Sequence, residues 1–161
     1  MAQQKTNVMR VLDQKKIPYL AHEYPHGDEA VDGVTVARIT GQDPAHVFKT
    51  LVAAGASKKV YVFVIPVAME LDLKNAAKAV GEKSVSMVKV SELTALTGYV
   101  RGGCSPIGMK KSYPTVYDKR IEELETVLVS AGKIGFQVEL SPGVLIGLTR
   151  GKTAEIAVKA E

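Results

Sequence analysis

The sequence has no tryptophan, a single cysteine and few aromatic residues, which make up 6% of its 161 residues. One cysteine cannot form a disulfide within the chain, and no Cys/His spacing typical of a metal site is present. Scarce aromatic residues argue against a surface that stacks several unpaired bases, as many binders of single-stranded RNA do. We therefore expect no disulfide framework and no bound metal.

Long apolar runs and nucleotide-binding loops are also missing. No apolar run approaches the roughly 20 residues of a membrane span, and the first residues lack the apolar segment of a signal peptide. There is no Gly-x-Gly-x-x-Gly between a strand and a helix and no Walker loop, so we expect no cofactor. By elimination, we predict a cytoplasmic protein with no membrane partner.

Basic residues outnumber acidic ones, 21 against 17, which gives a net charge of +4. This modest excess suits an anionic partner but does not by itself indicate nucleic acid. Several basic residues come in pairs, among them Lys110-Lys111 and Lys119-Arg120. These pairs are either phosphate contacts or ordinary surface residues.

Apolar periodicity predicts a mixture of helices and strands without a regular βαβ alternation. The expected helices begin after the capping residues Thr6, Asp72, Ser91 and Ser141, with another over 34–40. The expected strands are 17–24, 47–54, 60–65, 85–88, 115–117, 126–130, 135–140 and 153–158, and the second and third form a hairpin. We predict an α+β fold: a single domain, 1–161, with a curled, mixed and mostly antiparallel sheet flanked by helices.

A glycine-rich stretch follows the predicted helix that ends near residue 97. Gly98, Gly102, Gly103 and Gly108 surround Ser105-Pro106 within fourteen residues. Such a loop usually brings backbone close to another group, and its N–H groups can face an anion or a carbonyl oxygen. The alternative is a long turn between two strands.

Three residue types are candidates for chemistry. Lys49 interrupts the apolar strand 47–54 and either reaches water or points into a cleft, where its ammonium would position a phosphate, a carboxylate or a carbonyl oxygen. Cys104 is either a nucleophile or, as we favour, a small apolar filler. The three histidines, His22, His26 and His46, match no local catalytic motif, and we expect them to face solvent or lie in turns.

Taken together, four motifs resemble the YbaK/EbsC family of free-standing aminoacyl-tRNA editing domains, which are similar to the editing insertion of bacterial prolyl-tRNA synthetase. The motifs are Phe48-Lys49-Thr50-Leu51; the run from Ile65 through Leu71-Asp72-Leu73-Lys74 to Gly81; Gly102-Gly103-x-Ser105-Pro106-x-Gly108 preceded by Gly98-Tyr99; and Ser130-Ala131-Gly132-Lys133. The resemblance covers roughly residues 5 to 160, with the motifs in the family's order and spacing.

The resemblance implies hydrolysis of mischarged Cys-tRNA(Pro) acting in trans. The implied partners are the acceptor end of that tRNA and, transiently, prolyl-tRNA synthetase, with no DNA partner. The implied mechanism is substrate-assisted: the cysteinyl thiol attacks its own ester carbonyl while Lys49 and the glycine-rich loop hold the ester. Lys49 is the implied catalytic residue, and the implied substrate-binding residues are Tyr24, Thr50, Gly102, Gly103, Cys104, Ser105, Pro106, Ser130 and Gly132.

One position departs from the family pattern. Where some members have an acidic residue after the Ser-x-Gly turn, this chain has Gln137, and Glu139 shares its strand face. Pocket size separates domains of this kind that act on different small residues. The alternatives are therefore a deacylase for another substrate such as Ala-tRNA(Pro), or a non-catalytic module that binds tRNA or a synthetase. A small-molecule hydrolase that uses Cys104 has little support.

Overall fold

The computed structural model describes residues 5–25 and 33–159. Its α-helices are α1 (Asn7–Gln14), α2 (Gly33–Thr40), α3 (Leu73–Val80), α4 (Val90–Thr97) and α5 (Pro142–Thr149), with 3-10 turns at Pro44–His46 and Lys119–Glu123. Its strands are β1 (Leu20–Glu23), β2 (Phe48–Gly55), β3 (Val60–Pro66), β4 (Met69–Leu71), β5 (Val85–Met87), β6 (Thr115–Asp118), β7 (Val127–Ser130), β8 (Phe136–Leu140), β9 (Lys152–Ala154) and β10 (Ala157–Lys159).

The strands form a five-stranded sheet, a three-stranded sheet and a two-stranded sheet. Their orders are β5-β2-β3-β6-β9, β1-β8-β7 and β10-β4. Within the described ranges, β3–β6 and β6–β9 pair in parallel, whereas the other five pairings are antiparallel. The predicted α+β class with mixed, mostly antiparallel pairing is confirmed, although the strands divide among three sheets.

Strands β2 and β3 form the predicted hairpin, in which Phe48 pairs with Pro66 and Ala54 with Val60. Strand alternation sends side chains to both faces of this hairpin, and both faces are covered. Val62 and Val64 of β3 lie in the larger core cluster, whereas Phe63 and Ile65 lie in a second cluster. A strand covered on both faces reads as a continuous apolar run, which is why β3 is so clear in the sequence.

The larger core cluster joins the hairpin to the three-stranded sheet and to α1 and α5. Val52 of β2, Val129 of β7, Val138 of β8 and Leu145 of α5 all belong to it. On the opposite face of the hairpin, Ala76 and Ala77 of α3 belong to the second cluster. The three-stranded sheet is thereby fixed against β2, and the isolated parallel bridge between Val47 and Leu128 lies at this junction.

Two of the four predicted helix caps are confirmed by hydrogen bonds. Thr6 Oγ1 accepts a bond from Met9 N at 3.2 Å, and Asp72 Oδ1 accepts bonds from Lys74 N and Asn75 N at 3.0 and 3.1 Å. The prediction for Ser91 is wrong, because α4 begins at Val90, two residues before the predicted start, and Lys89 is its N-terminal cap. Ser141 precedes α5 but makes no side-chain capping bond.

Two strand predictions also need correction. β1 begins at Leu20 instead of residue 17, and the last predicted strand is two short strands, β9 and β10. The short strand β4 was not predicted because its pairing partner β10 lies far along the chain. In the part of the chain that the structure describes, no helix has the length and apolar character needed to cross a membrane.

Candidate active site

The turn between β7 and β8 organises the candidate site. Gly132 has φ +91°, and its N–H donates to Ser130 Oγ at 3.1 Å. A Cβ on Gly132 would lie 2.9 Å from Tyr99 Cε1 and 3.0 Å from Val8 Cγ2, so both the backbone conformation and the packing require glycine. This turn therefore holds the Ser130 hydroxyl in a defined position at the end of β7.

The glycine-rich loop lies directly against this turn. A Cβ on Gly103 would lie 3.1 Å from Ile134 N and 3.2 Å from Lys133 Cα, so only glycine allows the two backbones to approach this closely. Gly102 precedes it with φ +85°. The structure therefore brings together two segments that are about thirty residues apart in sequence, and both were predicted to belong to the site.

Internal hydrogen bonds fix the shape of this loop. Gly103 N donates to Val100 O at 3.0 Å, and Ile107 N donates to Ser105 Oγ at 3.3 Å. The Tyr99 hydroxyl donates to Ile107 O. Ser105 is fully buried, and its hydroxyl oxygen holds the loop by accepting this bond from Ile107. Because the Gly103 N–H is already used, any donor to a bound carbonyl must come from elsewhere in the loop or from a side chain.

Cys104 and Pro106 of the same loop are buried. Burial raises the pKa of the Cys104 thiol to about 12, so the thiol is neutral at physiological pH. Its side chain belongs to the larger core cluster, together with Ala131 of the neighbouring turn. Cys104 thus packs the loop onto the core, and its environment opposes the thiolate form that nucleophilic attack requires.

Lys49 and Thr50 lie near the beginning of β2, where Lys49 pairs with Ile65 of β3. Alternation places the Lys49 side chain on the same side of β2 as Val47, and Val47 bridges to Leu128 in parallel. Lys49 lies two residues after Val47, and Ser130 lies two residues after Leu128. Each is therefore the next residue on that side of its strand. Both are half-buried. The topology therefore directs the lysine of β2 towards the serine at the end of β7.

Thr50 points to the opposite side of β2 from Lys49, the side of Phe48 and Val52, which belong to the larger core cluster. Its hydroxyl oxygen is buried and has no hydrogen-bond partner among the described residues. Burying an unpaired hydroxyl costs about 1–3 kcal/mol. A bound molecule that forms a hydrogen bond with Thr50 would offset this cost.

Gln137 was noted in the sequence as a departure, and the structure places it opposite Ser130 of β7 and His22 of β1. It is 7% exposed, and its amide oxygen Oε1 has no partner within the described ranges. A buried, unpaired carbonyl oxygen has the same energetic cost as the Thr50 hydroxyl. Gln137 therefore adds an unsatisfied acceptor to the sheet face that contains Ser130.

A hydrogen-bonded pair on this face, His22 and Glu139, was not predicted from the sequence. His22 Nε2 lies 2.8 Å from Glu139 Oε1, and Thr126 Oγ1 donates to Glu139 Oε2 at 2.6 Å. These contacts, with that of Thr126 the largest, hold the pKa of the Glu139 carboxyl below its ordinary value. His22 is thus a half-buried strand residue instead of the expected solvent-facing or turn histidine. The alternation of the predicted strand was the signal that could have indicated its half-buried position. His26 lies outside the described residues.

Tyr24 follows β1 and is 4% exposed. Its N–H donates to Gly135 O at 2.9 Å, which fixes the tyrosine beside the turn between β7 and β8. Tyr24, Ser130, Gly132 and the Gly102-Gly103 pair therefore all meet at this turn. Strand alternation puts Lys49 of β2 on the side of the Val47–Leu128 bridge that leads to Ser130.

Two surface cavities lie elsewhere. One has a volume of about 230 Å³, and Pro106 is the predicted site residue that lines it; the other has a volume of about 700 Å³ and contacts none of the predicted site residues. Neither is lined by Lys49 or Ser130. We locate the candidate site at the turn because the glycine-dependent backbone contacts and Tyr24 meet there, and because the unpaired oxygen of Gln137 lies on the sheet face of Ser130.

Comparison with known proteins agrees with the sequence resemblance. The chain matches the aminoacyl-tRNA editing domain family over residues 28–148. It is 46% identical over 157 residues to a protein of Enterococcus faecalis that bears the proposed name Cys-tRNA(Pro)/Cys-tRNA(Cys) deacylase EbsC; the match covers 98% of this chain and 96% of that protein.

Solved structures show the same fold at lower identity. One is described as a proposed trans-editing enzyme for prolyl-tRNA synthetase: it is 22% identical, has a TM-score of 0.81, and the match covers 99% of this chain and all of the other. Another, the hypothetical protein APE2540, is also 22% identical, with a TM-score of 0.83 over 94% of this chain and 99% of the other. The prediction of an aminoacyl-tRNA editing enzyme is confirmed. The chain belongs to the aminoacyl-tRNA editing domain family.

Proposed function

We propose that the protein hydrolyses mischarged Cys-tRNA(Pro) in trans, with no nucleophile supplied by the protein. The relative at 46% identity, named for this activity, supports the substrate. The observation on which the mechanism depends is the state of Cys104, the only cysteine in the sequence: burial raises its thiol pKa to about 12. The protein then offers no thiolate, and we assign the attack to the thiol of the substrate itself.

In this mechanism the thiol of the cysteinyl group attacks its own ester carbonyl. A carbon–sulfur bond forms, the bond to the ribose oxygen of the terminal nucleotide breaks, and that oxygen leaves as a hydroxyl after taking up the thiol proton. The amino acid departs as a cyclic thioester, which water then opens. Because both reacting groups belong to one molecule, holding the ester in the reactive conformation provides much of the acceleration.

Lys49 has the role of stabilising the negative charge that develops on the carbonyl oxygen. Lys49 is half-buried, where a charge acts more strongly than in water, and the Val47–Leu128 bridge sets the beginning of β2 beside β7, which ends at Ser130. Ser130, Gly132 and the Gly102-Gly103 pair form the wall against which the aminoacyl group is held. One preorganised donor of this kind contributes about a hundredfold to a thousandfold to the rate.

A single-turnover assay of Cys-tRNA(Pro), Ala-tRNA(Pro) and Pro-tRNA(Pro) tests this function. We expect selective loss of the cysteinyl ester, with Lys49→Ala slower by about a hundredfold or more. Lys49→Arg keeps the charge but replaces the compact ammonium with a planar fork, so we expect only partial recovery. Faster loss of the alanyl ester would assign the enzyme to Ala-tRNA(Pro), and binding without turnover would make it a non-catalytic module.

A backbone variant tests the contact between the loop and the turn. Gly103→Ala places a methyl group 3.1 Å from Ile134 N, which forces the loop away from the turn by a few tenths of an ångström. We expect slower deacylation with little loss of stability. The matched control is Gly147→Ala in α5, where a Cβ meets nothing within 4 Å, and its activity should equal that of the wild type.

We further propose that prolyl-tRNA synthetase is a transient partner that delivers the mischarged tRNA in the cytoplasm. The editing domain would span the whole chain, 1–161, as the 98% coverage by the relative supports. A pull-down with the synthetase in the presence and absence of tRNA(Pro) tests this partnership, and we expect association only when the tRNA is present.

A further inference from the structure

The two surface cavities are neighbours and share part of their lining. The smaller one lies between the end of α1, the segment 106–113 and α5; the larger one lies between the start of β3, the end of α3 and the segment from Arg150 to Lys152. Tyr113 and Thr115 line both. We call this combined surface the basic cleft, for the charges described next.

Every charged side chain that lines the basic cleft is a cation. Lys15 and Lys111 line the smaller cavity, and Lys59, Arg150 and Lys152 line the larger one. The whole chain has nearly as many acidic as basic residues, 17 against 21, so a lining of five cations without a carboxylate differs from the average surface. Such a concentration of one sign raises the local concentration of an anionic partner.

One carboxylate lies near the edge of the cleft. Glu82 accepts hydrogen bonds from Ser57 and from the Tyr61 hydroxyl, and it is close enough to Lys59 to interact electrostatically. It offsets part of the charge of Lys59. Lys15, Lys111 and Arg150 remain exposed, and no hydrogen bond or ion pair of their side chains occurs within the described ranges.

The backbone gives a second, independent sign of this surface. Among the described residues, the non-glycine residues with positive φ are Lys16, Lys58 and Arg150, at +56°, +72° and +54°. This conformation costs an ordinary residue roughly 1–2 kcal/mol, and glycine would avoid the cost. All three are basic; Lys16 and Lys58 are adjacent in sequence to lining lysines, and Arg150 itself lines the cleft. Arg150 thus lines the cleft in a backbone conformation that glycine would adopt at lower cost, and Lys16 and Lys58 adopt the same conformation next to lining lysines.

We propose that the basic cleft binds the phosphate backbone of the acceptor stem of the substrate tRNA. This inference rests on the proposed function, because that function supplies the RNA. Pro106 lines the smaller cavity and belongs to the glycine-rich loop, three residues after Gly103, which contacts the turn at the candidate active site, so one loop links the cleft to the site. An RNA whose 3′ end enters the site would lay its backbone phosphates along the cleft, against Lys111 and then Arg150.

The basic pairs Lys110-Lys111 and Lys119-Arg120 were each either phosphate contacts or ordinary surface residues, and the structure places them differently. Lys111 lines the cleft. Arg120, by contrast, donates to the fully buried Asp118 at 3.1 Å, so it holds the turn after β6. Of these four residues, Lys111 alone lines the proposed RNA surface.

Binding of uncharged tRNA(Pro) at a series of salt concentrations tests the proposal. The test protein combines Lys15→Gln, Lys111→Gln and Arg150→Gln. The matched control combines Lys74→Gln, Lys83→Gln and Lys89→Gln, which removes the same charge from exposed positions that do not line the cleft. For the test protein we expect about a tenfold or greater loss of affinity at low salt, and a slope of log Kd against log salt reduced by about 2 to 3.

Equal losses in the two triple variants would overturn the proposal, because they would show an effect of net charge alone. The binding readout does not depend on catalysis. If the wild type deacylates no aminoacyl-tRNA while the cleft variant still loses affinity, then the proposed function fails and the RNA surface stands. If the cleft variant binds as the control does while the wild type deacylates Cys-tRNA(Pro), the surface fails and the function stands.

Discussion

The buried state of Cys104 leads to a quantitative prediction about its reactivity. Cys104 is 8% exposed, and burial raises the pKa of its thiol from 9.0 to about 12. At about pH 8 an ordinary thiol is ionised in about one molecule in ten, whereas Cys104 would be ionised in about one in ten thousand. Since the thiolate is the reactive species, alkylation of the folded protein should be about a thousandfold slower than that of a free thiol.

The assay is alkylation by iodoacetamide followed by mass spectrometry, with the urea-unfolded protein as the reference for an accessible thiol. The partner experiment is Cys104→Ala, which removes one buried sulfur at a cost of about 1 kcal/mol and should keep most of the deacylation. Rapid alkylation of the folded protein with loss of activity would refute the reasoning. So would an inactive but folded Cys104→Ala variant, since either result would make Cys104 the nucleophile.

The remaining predictions concern the turn and its sheet face. Gly132→Ala should destabilise the protein by at least about 2 kcal/mol, because it combines a left-handed backbone with a contact of 2.9 Å to the Tyr99 ring. Gly147→Ala should instead stabilise it by about 0.5 to 1 kcal/mol, and thermal melts distinguish the two. Gln137→Leu should raise the melting temperature, since it removes a buried oxygen that lacks a partner among the described residues, and should lower kcat/KM. Glu139→Ala should cost about 1–3 kcal/mol at neutral pH. Because the folded-state pKa of Glu139 is lowered, its contribution is present above the ordinary value of 4.5 and is lost as the pH falls through the lowered pKa. Denaturant unfolding at several pH values should therefore show the difference from wild type shrinking below pH 4.5; a constant difference would contradict this account.

Local signals in the sequence were sufficient for the helices and strands whose stability is local. Thr6 and Asp72 were recognised as caps because a capping bond spans only two or three residues. The hairpin of β2 and β3 was recognised because its two strands are adjacent along the chain. β4 was missed because it is three residues long and pairs with β10, more than eighty residues away.

The candidate site, too, was predictable from local sequence only in part. The motifs indicated Lys49, Ser130 and the glycine-rich loop as separate features, but their relation depends on tertiary packing. The bridge between Val47 and Leu128 orients β2 towards β7, and no local pattern encodes it. The unpaired oxygen of Gln137 could not be predicted either, because burial of a single side chain depends on what covers the sheet.

The basic cleft could not be predicted from the number or the spacing of charged residues in the sequence. Lys15, Lys59, Lys111 and Arg150 are spread over the chain, and the net charge of +4 does not suggest a concentrated surface. Folding brings them around two adjoining cavities. The paired pattern of basic residues was a weaker guide, since Arg120 belongs to such a pair but is bound to Asp118.

The central claim is that the substrate's own sulfur attacks the ester. It is tested most directly by comparing single-turnover deacylation of Cys-tRNA(Pro) with that of the same tRNA bearing S-methylcysteine. The methyl group removes the nucleophile while leaving the ester intact. We predict rapid loss of the cysteinyl ester and no enzyme-dependent loss of the methylated one. Hydrolysis of both at similar rates would contradict the account.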